Sequence, residues 1–152
     1  GDAPADVLTG LPTASTLTRR LDAALDAARE AGRALPVMVV RIEELKQINR
    51  QHGWLVGDQL LIWLASRLGE RVGAGELLAR VDADSFALAT PARTLADAQA
   101  LALDTRDVLS RSRPRLGVAR VDVRVSAQAF DLTTLALGGE SLLGAAHDGQ
   151  EG

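Results

Sequence analysis

The chain has no cysteine and no tyrosine, and only two tryptophans and two phenylalanines in 152 residues. Without cysteine there is no disulfide framework and no thiolate metal site, which fits a reducing, cytoplasmic compartment. So few aromatics leave no stacking platform for single-stranded nucleic acid. A basic excess is missing as well: 17 Lys and Arg stand against 20 Asp and Glu, for a net charge of −3. A nucleic-acid binder shows a basic stripe instead. The one dense basic cluster, "RSRPR" at 111–115, reads as a solvated helix end as readily as a phosphate site. No apolar run approaches the ~20 residues of a spanning helix, and no signal peptide is visible. Neither nucleic-acid binding nor membrane insertion is expected. Gly1-Asp2 reads as a cloning scar, so the chain is expected to be one domain cut from a longer protein.

What is present suits a globular domain: 47% hydrophobic and 24% charged residues. The length predicts one domain, expected over 5–150. Apolar residues recur at helical spacing in 13–31, with Thr13 or Ser15 able to cap the start and Gly32 the end. The β-branched run "LPVMVVRIEEL" at 35–45 predicts a buried central strand. "KQINRQHG" follows as a turn or short helical link, then a second helix over 57–73. "ELLARV" and "SFALAT" predict a hairpin around Asp82-Ala83-Asp84, although Asp-Ala suits a two-residue turn poorly. A third helix spans 94–112, and 118–130 alternates with period two as one long strand or two short ones. A weak last helix covers 133–149. A hairpin inside this helix–strand alternation predicts an α+β layer fold with a mostly antiparallel sheet.

Four stretches in shared order and spacing carry a resemblance. They are "DVLTGLP" at 6–12, "VVRIEELKQINRQHGWLVGDQLL" at 39–61, "ARVDADSFAL" at 79–88 and "VRVSAQAF" at 123–130. They resemble the D-x-L-T-G-L opening, the D-x-D-x-F-K-x-I-N strand and helix, the A-R-x-G-G-D-E-F-A-L hairpin and the V-T-V-S-I-G-V-A strand of GGDEF domains, the diguanylate cyclases. Lys46, Ile48, Asn49, Gly53, Gly57, Asp58 and Leu61 fall in register with the second motif. The resemblance implies a central five-stranded, mostly antiparallel sheet flanked by helices. It also implies descent from enzymes that join two GTP molecules into cyclic di-GMP, with metal ions bridging carboxylates and phosphates.

The departures from the family pattern fall on the chemistry. Arg41 aligns with the first metal carboxylate, and a guanidinium cannot ligate a cation. Asp82-Ala83-Asp84-Ser85-Phe86 replaces G-G-D-E-F. Asp84 keeps one carboxylate, Ser85 stands where Glu is expected, and two Cβ atoms with a negative charge replace the paired glycines. Thr13-Ala14 replaces the opening Asn-Arg, and Ala146 and Gln150 replace the late phosphate-gripping Lys and Arg. The product-binding R-x-x-D falls on Gly73-Ala74-Gly75-Glu76, which leaves Arg80 unable to bind the cyclic dinucleotide alone.

The resemblance therefore implies a degenerate GGDEF domain, without cyclase activity, metal or cofactor. Its expected place is a regulatory module of bacterial cyclic di-GMP signalling, bearing on biofilm, motility or type IV pili. It would act through a protein partner or an adjacent EAL or sensor domain, with GTP binding weak or absent. The alternative is a GTP sensor that activates a neighbouring EAL phosphodiesterase.

Several residues keep two readings at this point. Arg41 pairs with Asp82 or Asp84 across the former metal pocket, or points to solvent. Asn49 and Asp58 are a vestigial guanine-binding pair, or Asn49 closes a turn and Asp58 caps a helix starting near Gln59. Trp54-Leu55-Val56 is an exposed partner surface, or it packs inward. His52 and His147 read as surface residues.

Overall fold

The computed structural model describes residues 4–135. Helix α1 (Ala14–Ala31) forms where Leu17, Leu21, Leu25 and Ala28 make one buried stripe. Thr13 caps it by accepting from Thr16 N, and Gly32 ends it in the left-handed region at φ 65°. Strand β1 (Pro36–Ile42) follows, then two short-linked helices, α2 (Leu45–His52) and α3 (Trp54–Gly69). Gly53, at φ 91°, stands between them and ends the first as it starts the second. The hairpin strands β2 (Leu77–Asp82) and β3 (Ser85–Ala89) precede α4 (Leu95–Ser110), whose Thr94 cap accepts from Asp97 N at 3.0 Å. A short ribbon of β4 (Arg115–Leu116) and β5 (Ala119–Arg120), strand β6 (Val125–Asp131) and a 3-10 turn (Leu132–Thr134) complete the described chain.

The sheet is antiparallel, in the order β2-β3-β1-β6. Alternate residues of β1 point to opposite faces and are buried on both. Met38, Val40 and Ile42 join Leu60, Leu64, Leu68, Phe86 and Leu109 under α3 and α4. Val37 and Val39 join Leu17, Leu21, Leu25, Ala87 and Ala89 under α1. This double burial is why β1 reads as an unbroken apolar run. It also makes the sheet the middle of three layers.

The α+β class and the flanked antiparallel sheet agree with expectation. The implied strand count differs: among the described residues the main sheet has four strands, and β4-β5 forms a separate pair. The 118–130 stretch divides because β5 turns back on β4, while Val121 and Val123 stay buried between β5 and β6. Helix α3 begins at Trp54, three residues before the expected start, because its first turn shows Trp54 and Leu55 to solvent and so hides the periodicity. Of the expected last helix at 133–149, residues 133–135 are described, within and just after the 3-10 turn at Leu132–Thr134; the rest, with Ala146 and His147, and Gln150 beyond it, lie outside the described residues.

Candidate functional site

The site is built at the hairpin end of the sheet, starting from the turn at 6–12. Asp6 accepts from Thr9 N at 2.8 Å and from Thr9 Oγ1 at 2.7 Å, and Gly10 passes through φ 74°. That folded turn is clasped to β2. Arg80 donates through Nη1 to both Asp6 oxygens, at 3.1 and 3.2 Å, through Nη2 to Ala83 O at 2.7 Å, and from its backbone N to Pro12 O at 2.9 Å. Both side chains are largely buried. Burial pushes the Asp6 carboxyl up, but donation from Thr9 and from Arg80 outweighs it and holds the group below its ordinary range. Sequence reasoning kept Arg80 only as a leftover of a product site. It is instead the bolt between the N-terminal turn and the hairpin.

The hairpin itself avoids the primed turn that Asp-Ala would resist. Neither Ala83 nor Asp84 has positive φ; Glu44 is the one non-glycine in that region among the described residues. The register shifts between Arg80 and Asp82, leaving Val81 as the extra residue of a bulge that supplies the twist. Asp82 Oδ1 accepts from Ala83 N at 2.9 Å, and Asp84 Oδ1 accepts from Ser85 Oγ at 3.0 Å. Ser85 is fully buried, and Phe86 anchors the turn in the core at 0% exposure. A cleft of about 560 Å³ runs beside it, lined by Thr13, Ser15, Arg80, Asp82 and Ala83.

Arg41 lies on the α1 face, opposite Ser85 on β3 and Ser126 on β6. It is partly buried and makes a contact of its own. Ile42 N donates to Asp84 O at 2.9 Å, which holds the hairpin turn against the end of β1. The cation-binding set implied by the resemblance does not fit these residues: an arginine, a serine and a carboxylate already bonded to that serine occupy it. Among the described residues, no three His, Asp or Glu side chains gather as a metal site would need.

The corner between α2 and α3 holds the second pair. Asn49 Oδ1 is buried without a hydrogen-bond partner. A Cβ on Gly57 would overlap that oxygen, so glycine is what lets Asn49 seat there. Asp58 lies inside α3, in its second turn, so the reading of Asp58 as a helix cap is corrected: Gly53 holds that position. Inward packing of "WLV" is likewise corrected. Trp54 is 74% and Leu55 70% exposed, and only Val56 packs against the core. Their exposure follows from position: they sit on the outer side of the first turn of α3. His52 is exposed.

Glu76, where the family's product site has Asp, is also engaged. Its carboxylate receives Arg93 Nε at 2.7 Å and Gly73 N at 2.7 Å, and its side chain is 5% exposed. The hydrogen bond from Arg93 to Glu76 holds the Arg93 guanidinium above its usual value.

A diguanylate cyclase GGDEF-domain model matches residues 3–132. The chain belongs to the GGDEF family. MucR of Pseudomonas aeruginosa, a bifunctional diguanylate cyclase/cyclic di-GMP phosphodiesterase, is 34% identical over 122 residues, covering 80% of this chain and 17% of MucR. An uncharacterised signalling protein of Caulobacter vibrioides is 41% identical over 81 residues, 53% of this chain and 10% of that protein. The chain thus spans a small part of these relatives. Among solved structures, the GGDEF domain of TpbB from P. aeruginosa superposes with TM-score 0.75 at 28% identity, over 82% of this chain and 73% of that one. The FimX GGDEF domain from the same organism gives 0.83 at 22% identity, over 99% and 93%, a likeness of fold. No helix among the described residues is long and apolar enough to cross a membrane.

Proposed function

We propose that this chain is a non-catalytic GGDEF module. It regulates cyclic di-GMP signalling from the cytoplasm through a protein partner or an adjoining EAL or sensor domain, in control of biofilm, motility or type IV pili. The single observation that carries this reading is Arg41. It stands on β1 beside Ser85, with the hairpin turn bonded to the end of its strand, at the position where the resemblance implies a metal-binding carboxylate. Phosphoryl transfer relies on positioning and on neutralising charge at the phosphates. A guanidinium fixed in the protein supplies charge without an exchangeable coordination site. Ala83 and Asp82 narrow the approach of a triphosphate and add charge of the wrong sign. Arg80, the remaining cation at the hairpin, is held by Asp6.

A second reading is favoured by Asn49. Its Oδ1 is unbonded and shut off from solvent beside Gly57, so it would accept an N–H from a purine base once the Asn49 side chain turns outward. On that reading the domain senses GTP weakly and passes the signal to a neighbouring EAL phosphodiesterase.

Incubation with GTP and Mg²⁺ or Mn²⁺, followed by chromatography, tests the first reading. No cyclic di-GMP is expected, and its formation overturns the proposal. A melting shift with GTP separates the two readings, since ligand at about 100 times its Kd adds about 2.7 kcal/mol.

A further inference from the structure

The basic cluster at 111–115 takes no part in the site above. Helices α3 and α4 end side by side, and a groove of about 400 Å³ lies between their last turns and the segment leading to β4. Trp63, Val108, Leu109 and Pro114 give it apolar walls. Trp63 is half-buried, with its body against the main core. Arg67, Arg71 and Arg113 stand over these walls. Each is held by one carboxylate: Arg67 by Glu70 at 3.1 Å, Arg71 by Asp104 at 2.7 Å and Arg113 by Asp122 at 2.7 Å. A guanidinium has five N–H donors, so each arginine is oriented yet keeps donors for a second acceptor. Arg111 and Arg115 are exposed and have no ion pair among the described residues.

Charge is segregated here. Segments 63–72 and 103–122, which wall the groove, hold seven of the 17 basic residues and four of the 20 acidic ones. The net charge of −3 hides a basic end on an otherwise acidic chain. We propose that the groove docks an acidic, amphipathic segment of a protein partner, with carboxylates on the arginine rim and an apolar side chain against Trp63. The proposal rests on reading the domain as a partner-contacting module, and it names where and with what chemistry. A polyphosphate backbone fits less well. Glu70, Asp104 and Asp122 stand on the rim and would face its evenly spaced charges, whereas a helix can place its carboxylates between them.

The test uses the full chain and a fluorescein-labelled amphipathic helical peptide of about 20 residues, with Glu on its polar face and Leu and Phe on the other. A Lys-for-Glu peptide and a single-stranded DNA oligonucleotide serve as comparisons. Acidic peptide binding that weakens from about 50 to about 200 mM salt is expected, with the basic peptide silent. R111E/R113E/R115E should raise Kd at least about tenfold, while R20E/R33E/R50E, the same charge change elsewhere, should move it less than about twofold. Circular dichroism checks that both variants fold. The proposal is overturned if the acidic peptide does not bind, if both variants lose equally, or if the oligonucleotide binds more tightly. Salt-sensitive self-association abolished by R111E/R113E/R115E overturns it too, because a second copy is then the occupant. Lost peptide binding with no cyclic di-GMP made removes only this surface. Cyclic di-GMP formed with peptide binding intact removes only the non-catalytic reading.

Discussion

Two regions at the same end of the sheet differ in kind. The clasp of Asp6, Thr9, Arg80 and Ala83 is nearly closed: the Asp6 carboxylate and both terminal nitrogens of Arg80 are bonded within the chain, and only Arg80 Nε is buried there without a partner. The corner at Asn49 and Gly57 is open, with a buried acceptor that nothing in the described chain satisfies. Asp6, Thr9 and Arg80 hold the polypeptide, and the sequence keeps these three as the family pattern has them. The residues that would hold metal and phosphate, Arg41, Asp82, Ala83 and Ser85, depart from that pattern. Groups needed for folding and groups needed for chemistry are therefore separable here, and the corner lies between the two.

The largest expected effect tests whether the hairpin is anchored from beneath. Phe86→Ala should cost about 3–5 kcal/mol, read as a drop in denaturation midpoint, because a fully buried aromatic leaves a cavity at the turn. A loss under about 1 kcal/mol would mean that the clasp alone holds the hairpin.

Breaking the clasp comes next. Asp6→Ala leaves Arg80 buried with fewer acceptors and should cost about 2–3 kcal/mol. The pH dependence follows the sign of the shift. Asp6 sits below the ordinary 3.8 in the folded chain. Its contribution is therefore complete above that value and is lost as pH falls through the lower folded one. Stability of Asp6→Asn should fall less steeply below about pH 4 than that of the parent chain, as acid titration by circular dichroism would show.

At the open corner, Gly57→Ala should destabilise by about 1–3 kcal/mol through overlap with Asn49, despite alanine's better helix propensity. Asn49→Ala in the same background should restore most of the loss. Additive losses in that double-mutant cycle would show that the two residues do not share the space. The smallest effect runs the other way. Thr105 is fully buried in α4 with an unbonded Oγ1, so Thr105→Val should raise stability by about 1 kcal/mol.

Much of the fold was legible because burial leaves periodic marks. The stripe of Leu17, Leu21 and Leu25 marks α1, and the apolar run of 36–42 marks a strand covered on both faces. Trp54 and Leu55 misled because exposed apolar residues break the pattern that signals a helix start. At the site, Arg41 and Ser85 were readable from their places in a known motif. The clasp was not: Asp6 and Arg80 are 74 residues apart, and Glu76 and Arg93 are 17 apart. No local spacing marks an ion pair made by topology. The bulge at Val81 was hidden for a similar reason, since it exists only in the pairing of two strands.

The separation of scaffold from chemistry is tested most directly by calorimetric titration of GTP into the chain with and without Mg²⁺. The account predicts the same weak or absent signal in both, with any Kd above about 10 μM, equivalent to less than about 7 kcal/mol of affinity. Binding that tightens by about tenfold or more when Mg²⁺ is added would show that the hairpin end of the sheet still assembles a metal–triphosphate site, and would contradict it.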